Sequence, residues 1–471
     1  LMRVSVAVPR PLAGSFDYLC HEPVAVGARV RVPFGRGQVI GVVVAVAPDA
    51  LDDGSLKTVA RVLDDAPLLD APLLQLLHFA ARYYQHPLGE VVQAALPKLL
   101  REGRAATRDL PRYWRITTAG RAALAGRLGG KQAAVLSALQ ENEIDEAALR
   151  AAHHCGASWL RDLEKRGWLE ARAHWHGLDA PAAAAPTLNA EQITATLLDG
   201  VTGSGKTEIY IRWIEHLTAD GGQVLLLVPE IGLVRTLAAR LAARLGNRIA
   251  VHHSALADGA RLEQWLAVRA GDAQVLVGTR SAVFAPCPAL RGIIIDEEHD
   301  AAYKQQDGFR YHARDLALKR AQQAGIPILL GSATPSLESY HQVWRGHWQH
   351  LRLTARAATT TPPAIHLENM DGASASGGMS HELIRAMRRT LADGGQTLLF
   401  LNRRGYAPLL RCDACGWCSE CPACDAMMTV HTASRQLQCH HCGREQPMPT
   451  RCPACHSTPP SVLWSPTVMV A

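Results

Sequence analysis

The chain has 471 residues, a formal net charge of +6, 48% apolar residues and 20% charged residues. That is enough for several domains with separate cores, and the ordinary composition excludes collagen-like, low-complexity and wholly disordered classes. No run of about 18 apolar residues occurs, which excludes a hydrophobic membrane-spanning helix. The start, Leu1-Met2-Arg3-Val4-Ser5-Val6, lacks a signal-peptide plan, so a cytoplasmic location is expected, and the modest positive charge permits nucleic-acid binding.

Residues 3–46 read as short strands. Val4, Val6 and Val8 alternate, Arg29–Val32 follows Gly27, and Val39–Val46 is almost continuously β-branched. Between them lie Phe16-Asp17-Tyr18 and the basic loop Pro33-Phe34-Gly35-Arg36-Gly37. An acid between two aromatics suits stacking on a base, although most such rings are simply core. Residues 67–100 turn helical around Leu73, Leu76, Leu77, Phe79, Ala80 and Tyr84.

Residues 112–175 predict helices at Lys131–Leu139, Asp145–Ala152 and Trp159–Arg166, the last capped by Ser158, then a strand at 167–171. Helix, helix, helix, strand is the order of a winged helix-turn-helix, a unit that contacts either DNA or protein. Residues 179–187 form an Ala/Pro linker.

From Leu188 strands and helices alternate, as in an α/β doubly wound domain. Strands are expected at Leu197–Asp199, Val224–Val228, Ile249–His252, Val275–Gly278, Ile293–Ile295 and Ile328–Leu330. The first runs into Gly200-Val201-Thr202-Gly203-Ser204-Gly205-Lys206-Thr207, the Gly-x4-Gly-Lys-Thr phosphate loop. Backbone N–H groups around Gly200, Gly203, Ser204 and Gly205 would cradle the phosphates of ATP. Lys206 would reach the β- and γ-phosphates, Thr207 would ligate Mg²⁺, and Glu208 opens the helix beside them. Ninety residues beyond Lys206, an apolar strand ends in Asp296-Glu297-Glu298-His299. Asp296 is expected to hold Mg²⁺ through water and Glu297 to activate the attacking water. Gly331-Ser332-Ala333-Thr334-Pro335 follows the next strand, and its hydroxyls suit relay contacts.

Nine of the twelve cysteines lie between 412 and 455. Cys412/Cys415, Cys421/Cys424, Cys439/Cys442 and Cys452/Cys455 are four CxxC knuckles, each half of a tetrahedral zinc site. Two structural zincs, each held by four thiolates, are therefore expected in place of disulfides. Spacing leaves the pairing open. Cys418 is out of register.

The phosphate loop, DEEH and GSAT in this order resemble a superfamily 2 helicase. LDGVTGSGKTEIY, LVPEIGL (227–233), VGTRSAVFAP (277–286), DEEHDAAYKQQDGFRYHARDLA (296–317), FLNRRGYAP (400–408) and the cysteine array resemble the PriA family of replication-restart helicases. The resemblance implies a multidomain α/β chain. Its parts would be a β-rich 3′-DNA-end-binding domain (1–104), a winged helix (105–178), the linker, and a RecA-like lobe 1 (188–355). After these would come the start of lobe 2 (356–408), a zinc module (409–457) and an atypical tail (458–471).

It places Phe16, Asp17, Tyr18, Gly37 and Lys57 around a terminal nucleotide. Tyr303, Lys304, Phe309, Arg310 and Tyr311 fall in a loop coupling single-stranded DNA to hydrolysis. It implies zinc pairing of the outer knuckles (412, 415, 452, 455) and of the inner ones (421, 424, 439, 442). The implied activity is ATP-dependent 3′–5′ unwinding at stalled or branched forks, with single-stranded-DNA-binding protein and other primosome proteins as partners.

Three departures qualify this. Only four residues separate Asn189–Gln192 from the strand at Leu197. Val234 and Thr236 stand where a Thr and a Gln are expected. The chain stops sixteen residues after Cys455 without the family's QxxGRxGR segment and its arginine finger. The sequence therefore predicts ATP binding with reduced DNA-stimulated hydrolysis. The alternatives are a fork- or 3′-end-binding protein with little ATPase, or the product of a frame-shifted gene.

Overall fold

The structure, a computed structural model, describes residues 1–48, 56–108, 112–126, 128–173, 195–246, 248–356, 364–367, 375–376, 379–399, 409–412, 414–424, 427–431, 434–439, 442–457 and 461–463. The linker at 179–187, the segment 189–192 and FLNRRGYAP (400–408) lie outside them. The chain divides into two units, Leu1–Thr359 and Thr360–Ala471.

The first unit begins with β1 (Met2–Ala7), β2 (Phe16–Cys20), β3 (Arg29–Phe34), β4 (Gly37–Pro48) and β5 (Arg61–Val62), an antiparallel sheet in the order β2-β1-β4-β3-β5. Val4, Val6, Val30 and Val32 alternate into its core, as their period of two requires. β1 and β4 slip register between Ser5 and Val6. Gly41 sits beside that point, where a Cβ would lie 2.4 Å from Val6 Cγ1. The sheet curls until its edges meet. Leu19 N–H donates to Lys57 O (3.0 Å) and Val59 N–H to Leu19 O (2.8 Å). Closure satisfies edge groups that would otherwise be unpaired.

Helices α1 (Ala71–Tyr83), α2 (Leu88–Ala94) and α3 (Lys98–Arg101) follow. Asp70 caps α1 by accepting from Leu73 N–H at 2.9 Å. Its buried face (Leu73, Leu76, Leu77, Ala80) joins a cluster with Trp265, Leu266, Phe284 and Leu316, so these helices share a core with the downstream lobe. The Trp265 indole donates to Ala95 O at 3.1 Å across the seam.

Next come β6 (Arg112–Ile116), α4 (Thr118–Leu124), α5 (Gly130–Ala138), β7 (Ile144–Asp145), α6 (Glu146–His153), α7 (Ala157–Lys165) and β8 (Leu169–Ala173), with sheet order β7-β6-β8. Three helices and a terminal strand were expected, whereas β6 and α4 were not. Ser158 does not cap α7, because Gly156 occupies the N-cap in extended conformation and no side chain accepts there. Trp114, Leu136, Leu149, Leu160 and Leu163 form this segment's own small core.

The remainder of this unit alternates strand and helix except between β12 and β13, which a short 3-10 turn (Arg280–Phe284) joins: β9 (Ala195–Gly200), α8 (Lys206–Thr218), β10 (Gln223–Leu227), α9 (Ile231–Leu245), β11 (Ile249–His252), α10 (Asp258–Ala270), β12 (Val275–Gly278), β13 (Leu290–Ile295), α11 (Ala313–Ala324), β14 (Ile328–Ser332), α12 (Leu337–Trp344) and β15 (Gln349–Leu353). They build a seven-stranded parallel sheet ordered β11-β12-β10-β13-β14-β9-β15. Every residue of β10, β12 and β14 is buried, which explains their unbroken apolar runs. All six expected strands form. The seventh, β15, reads Gln-His-Leu-Arg-Leu; as an edge strand it needs no continuous apolar run, and so it escaped notice.

In the second unit β16 (Ala375–Ser376) and β17 (Met379–Ser380) pair ahead of α13 (His381–Ala392). Of the expected strand Thr397–Leu401, Leu399 carries a bridge pairing, 397 and 398 do not, and the last two residues lie outside the described set. β18 (Leu409–Arg411), β19 (Thr429–His431), β20 (Gln436–Gln438), β21 (Glu445–Pro447) and β22 (Ser461–Leu463) complete the unit. β22, in the segment read as an atypical tail, pairs antiparallel with β18.

Candidate nucleotide site, DNA-facing residues and cysteine clusters

β13, β14 and β9 are adjacent, so the loops after Ile295, Ser332 and Gly200 meet at one carboxyl edge of the sheet. Open parallel sheets bind ligands at that edge. Gly203 and Gly205 have φ +80° and +93°, a region glycine enters without strain. They turn the loop into α8, whose N-cap Gly205 supplies no side-chain bond. The helix's first N–H groups are thus left for an anion. Ser204 Oγ is buried with no partner, and Lys206 Nζ donates to Gly200 O at 2.7 Å. A flexible cation parked on its own loop and an orphaned hydroxyl inside it both suit a phosphate chain.

Asp296 lies directly beyond β13. Tyr210, one helical turn after Lys206, is buried and donates its hydroxyl to Asp296 Oδ1 at 2.9 Å. The Tyr303 hydroxyl donates to Asp296 O at 2.6 Å and to Leu227 O at 3.0 Å. Burial raises the Asp296 carboxyl pKa; the Tyr210 hydrogen bond opposes this and neighbouring Glu297 adds to it. Space for Tyr210 comes from Gly331, where a Cβ would fall 1.6 Å from the phenol oxygen. Glu297 has φ +45°, an uncommon conformation for glutamate that often marks a functional turn. Its carboxylate lies 3.7 Å from His299 Nδ1. The same nitrogen is 2.7 Å from Ser332 Oγ, and Nε2 is 3.3 Å from Thr334 Oγ1. His299 therefore ties the acidic loop to the Ser-Ala-Thr loop. Beneath it Glu298 is fully buried and accepts from Arg314 (3.0 Å), Ser336 N–H (2.7 Å), Ser336 Oγ (3.1 Å) and Ser339 Oγ (2.8 Å).

Several expected roles need correction. Glu208, in the first turn of α8, pairs its carboxylate with Arg212 (3.0 Å) and Arg244 (3.2 Å). Tyr303, Phe309 and Tyr311 are 0%, 8% and 5% exposed, so their rings belong to the core instead of an open stacking platform. Phe309 packs on Tyr84 and His86 (centroids 5.9 and 5.2 Å) and Tyr311 on Phe284 (4.9 Å). Lys304 sits over the Tyr84 ring and donates to Arg310 O at 2.7 Å; the Arg310 side chain is exposed. In the departing motif, Val234 is buried, and exposed Thr236 donates back to Gly232 O at 3.2 Å.

At the amino-terminal sheet, Phe16 is half-buried and meets Phe34 edge-to-face at 5.1 Å. Asp17 accepts from Ser5 Oγ (2.6 Å) and Arg3 (2.5 Å), bonds that lower its carboxyl pKa. Tyr18 is core, its hydroxyl donating to Pro33 O at 3.2 Å. Gly37 leads out of the Gly35-Arg36 hairpin turn, and Lys57 is exposed beside Leu19. β2, the hairpin and Lys57 thus share one end of the curled sheet.

The cysteines form two clusters, Cys412/Cys415/Cys452/Cys455 and Cys421/Cys424/Cys439/Cys442, each with its sulfurs within 4.8 Å of one another. Sulfur pairs lie 3.5–3.6 Å apart. A tetrahedron with Zn–S bonds of ~2.3 Å has edges of about 3.8 Å. All twelve cysteines are free thiols. Cys418 donates to Gly416 O and joins neither cluster. The accompanying core comprises little beyond Leu410, Met428, Val430 and Leu437.

Sequence reasoning missed Tyr210, His299 and Gly331. Tyr210 carried a signal, standing four residues after the phosphate-loop lysine and so within one helical turn of it.

Fold and site together define a phosphate-loop ATPase lobe, and residues 182–343 match the DEAD/DEAH box helicase family. Residues 5–97 match the PriA 3′DNA-binding domain, and residues 421–447 the PriA DNA helicase Cys-rich region domain. Replication restart protein PriA of Haemophilus influenzae is 41% identical, the alignment covering 97% of this chain and 66% of that protein. The namesakes from Bacillus subtilis (43%; 58% and 34%) and Treponema pallidum (34%; 95% and 61%) are also similar. A solved structure of RecG bound to three-way DNA junction is 20% identical, covering 44% of this chain and 26% of that one, with TM-score 0.31. The chain belongs to the PriA family of replication restart proteins. It spans about two thirds of the Haemophilus relative and less of the other two.

Proposed function

We propose that this chain carries the ATP-driven, DNA-end-recognising portion of a 3′–5′ DNA helicase that acts at stalled or branched forks and starts primosome assembly. The observation that carries this reading is the meeting of phosphate loop, Asp296–Glu297 and Ser332–Thr334 at one sheet edge, wired together by Tyr210 and His299. When bound, Mg²⁺ would neutralise developing phosphate charge. Thr207 and Asp296 would hold the ion, and Tyr210 would keep the Asp296 oxygen oriented. Lys206 would leave Gly200 O for the β- and γ-phosphates, and Glu297 would take the proton of the attacking water. His299, bonded to both hydroxyls of the Ser-Ala-Thr loop, supports a coupling role between hydrolysis and DNA.

The end of the amino-terminal sheet bearing Phe16, Asp17, Gly37 and Lys57 would receive the 3′ nucleotide. Half-buried Phe16 would offer a ring edge, and Asp17 an acceptor for sugar or base donors. Tyr18 would act through packing. The cysteine clusters would hold two structural zinc ions, and a cytoplasmic location and docking to single-stranded-DNA-binding and primosome proteins complete the reading. Among the described residues no helix is long and apolar enough to cross a membrane.

The deciding assay is ATP hydrolysis with and without forked DNA, alongside Lys206→Ala and Glu297→Ala. Stimulation by the fork that both substitutions abolish is expected. Hydrolysis unchanged by either substitution would refute the assignment.

A further inference from the structure

Residues 304–312 form a narrow loop with both feet in the acidic motif. Tyr303, immediately before it, donates its hydroxyl to Asp296 O at 2.6 Å. Arg314, just after it, is bonded to Glu298 at 3.0 Å. The neck is drawn together by a bridge between Lys304 and His312, and by Gln305 N–H donating to Tyr311 O at 2.9 Å. A movement of the loop is therefore carried through packed and bonded groups to the carboxylates beside the phosphate loop.

One side chain from the amino-terminal region grips both arms of that neck. Tyr84 is the C-cap of α1 and falls within the stretch that matches the 3′DNA-binding domain. Its hydroxyl accepts the His312 backbone N–H at 3.1 Å, and Lys304 Nζ stands over its ring, 5.4 Å from the centroid. Phe309, near the loop's tip, folds back onto Tyr84 and His86 and is buried. Burial raises the Tyr84 phenol to about 12, so its hydroxyl keeps its proton at neutral pH. Fastening the two segments does not require this contact. The shared core, the Trp265 bond to Ala95 O and the Arg269 bond to Pro67 O (2.7 Å) already join them.

We propose that Tyr84 is a positioning residue through which the amino-terminal region holds loop 304–312 folded back, with Phe309 buried, and so restrains ATP hydrolysis. A contact that favours one of two loop arrangements shifts their balance by its own free energy and no further. One neutral hydrogen bond corresponds to about 2–10-fold. The inference rests on the fork-stimulated hydrolysis proposed above.

Tyr84→Phe keeps the ring and removes only the acceptor for His312, whereas Tyr84→Ala removes both grips. Tyr83→Phe, on the exposed neighbour, is the control. The measurements are hydrolysis without DNA and across a titration of forked DNA, and hydrogen exchange of residues 304–312 in the full chain. Tyr84→Phe is expected to raise kcat without DNA about 2–10-fold. It should lower the fork concentration for half-maximal stimulation by a similar factor, leaving KM for ATP and the fork-saturated rate as in the parent. Exchange within 304–312 should quicken, Tyr84→Ala should exceed Tyr84→Phe in every effect, and Tyr83→Phe should match the parent. A parent that forked DNA does not stimulate would overturn the proposed function itself. With a stimulated parent, unchanged DNA-free hydrolysis and unchanged exchange in Tyr84→Phe would overturn the role of Tyr84 alone. So would a proportional loss of every rate with a lowered Tm, the mark of a merely structural contact, or an equal effect from Tyr83→Phe.

Discussion

Tyr210→Phe removes one oxygen from the nucleotide site and little else. The phenol is buried on α8 and donates at 2.9 Å to Asp296, the carboxylate expected to face Mg²⁺. Burial raises the Asp296 pKa, and the tyrosine hydrogen bond is the largest opposing influence. Losing it moves that pKa further up, so the charged form needed for the metal is depleted as pH falls. A hydrogen bond to a charged group is worth ~1.5–3 kcal/mol, which bounds the loss in kcat/KM at roughly 10- to 150-fold. The expected signature is an acid limb displaced to higher pH, a raised half-saturating Mg²⁺ concentration, and partial recovery at alkaline pH where Asp296 is ionised regardless. Gly331 lies against this hydroxyl, so the variant gains space without strain. Hydrolysis should be followed by coupled phosphate release from acid to alkaline pH at several Mg²⁺ concentrations. An acid limb and a Mg²⁺ requirement identical to the parent's would refute the assignment of Tyr210 as the group positioning Asp296.

Other outcomes follow from the same contacts. Glu297→Gln should retain ATP binding by equilibrium dialysis while lowering kcat by about 10²–10⁴, the usual worth of a positioned base. His299→Ala should keep most DNA-independent hydrolysis and lose the stimulation by forked DNA, because it cuts the link to Ser332 and Thr334; equal losses in both rates would count against coupling. Elemental analysis of reduced, unchelated protein should give two zincs per chain, and Cys452→Ser should halve the content and loosen the module to proteolysis. Asp64→Ala should destabilise the first unit by ~3–5 kcal/mol in urea unfolding. It strands Arg29, fully buried against Asp64 at 2.7 Å with further bonds to Leu100 O and Arg104 O.

What was legible along the chain is whatever local pattern encodes. A glycine-rich turn between an apolar strand and a helix has one main use. Acids at the tip of an apolar strand, and CxxC at tight-turn spacing, are equally short-range signals, and the resemblance built on them already carried the inner and outer pairing of knuckles. The central parallel strands β10, β12 and β14 announced themselves because burial on both faces demands unbroken apolar runs. The edge strand β15 did not, since nothing presses on it from both sides.

Only tertiary structure decided which aromatics are available. Phe309 and Tyr311 fall in the loop that the resemblance couples to DNA, yet Tyr84 and His86 pack on Phe309, Phe284 packs on Tyr311, and both rings are buried. Glu208 meets Arg244, 36 residues away, in an ion pair that no local pattern announces. Tyr210 and His299 gained their roles because the order β13-β14-β9 makes neighbours of loops that lie far apart in the chain. Side-chain type is a local property, whereas exposure and partnership depend on which distant segment packs alongside, and that is set by the sheet order and the shared core.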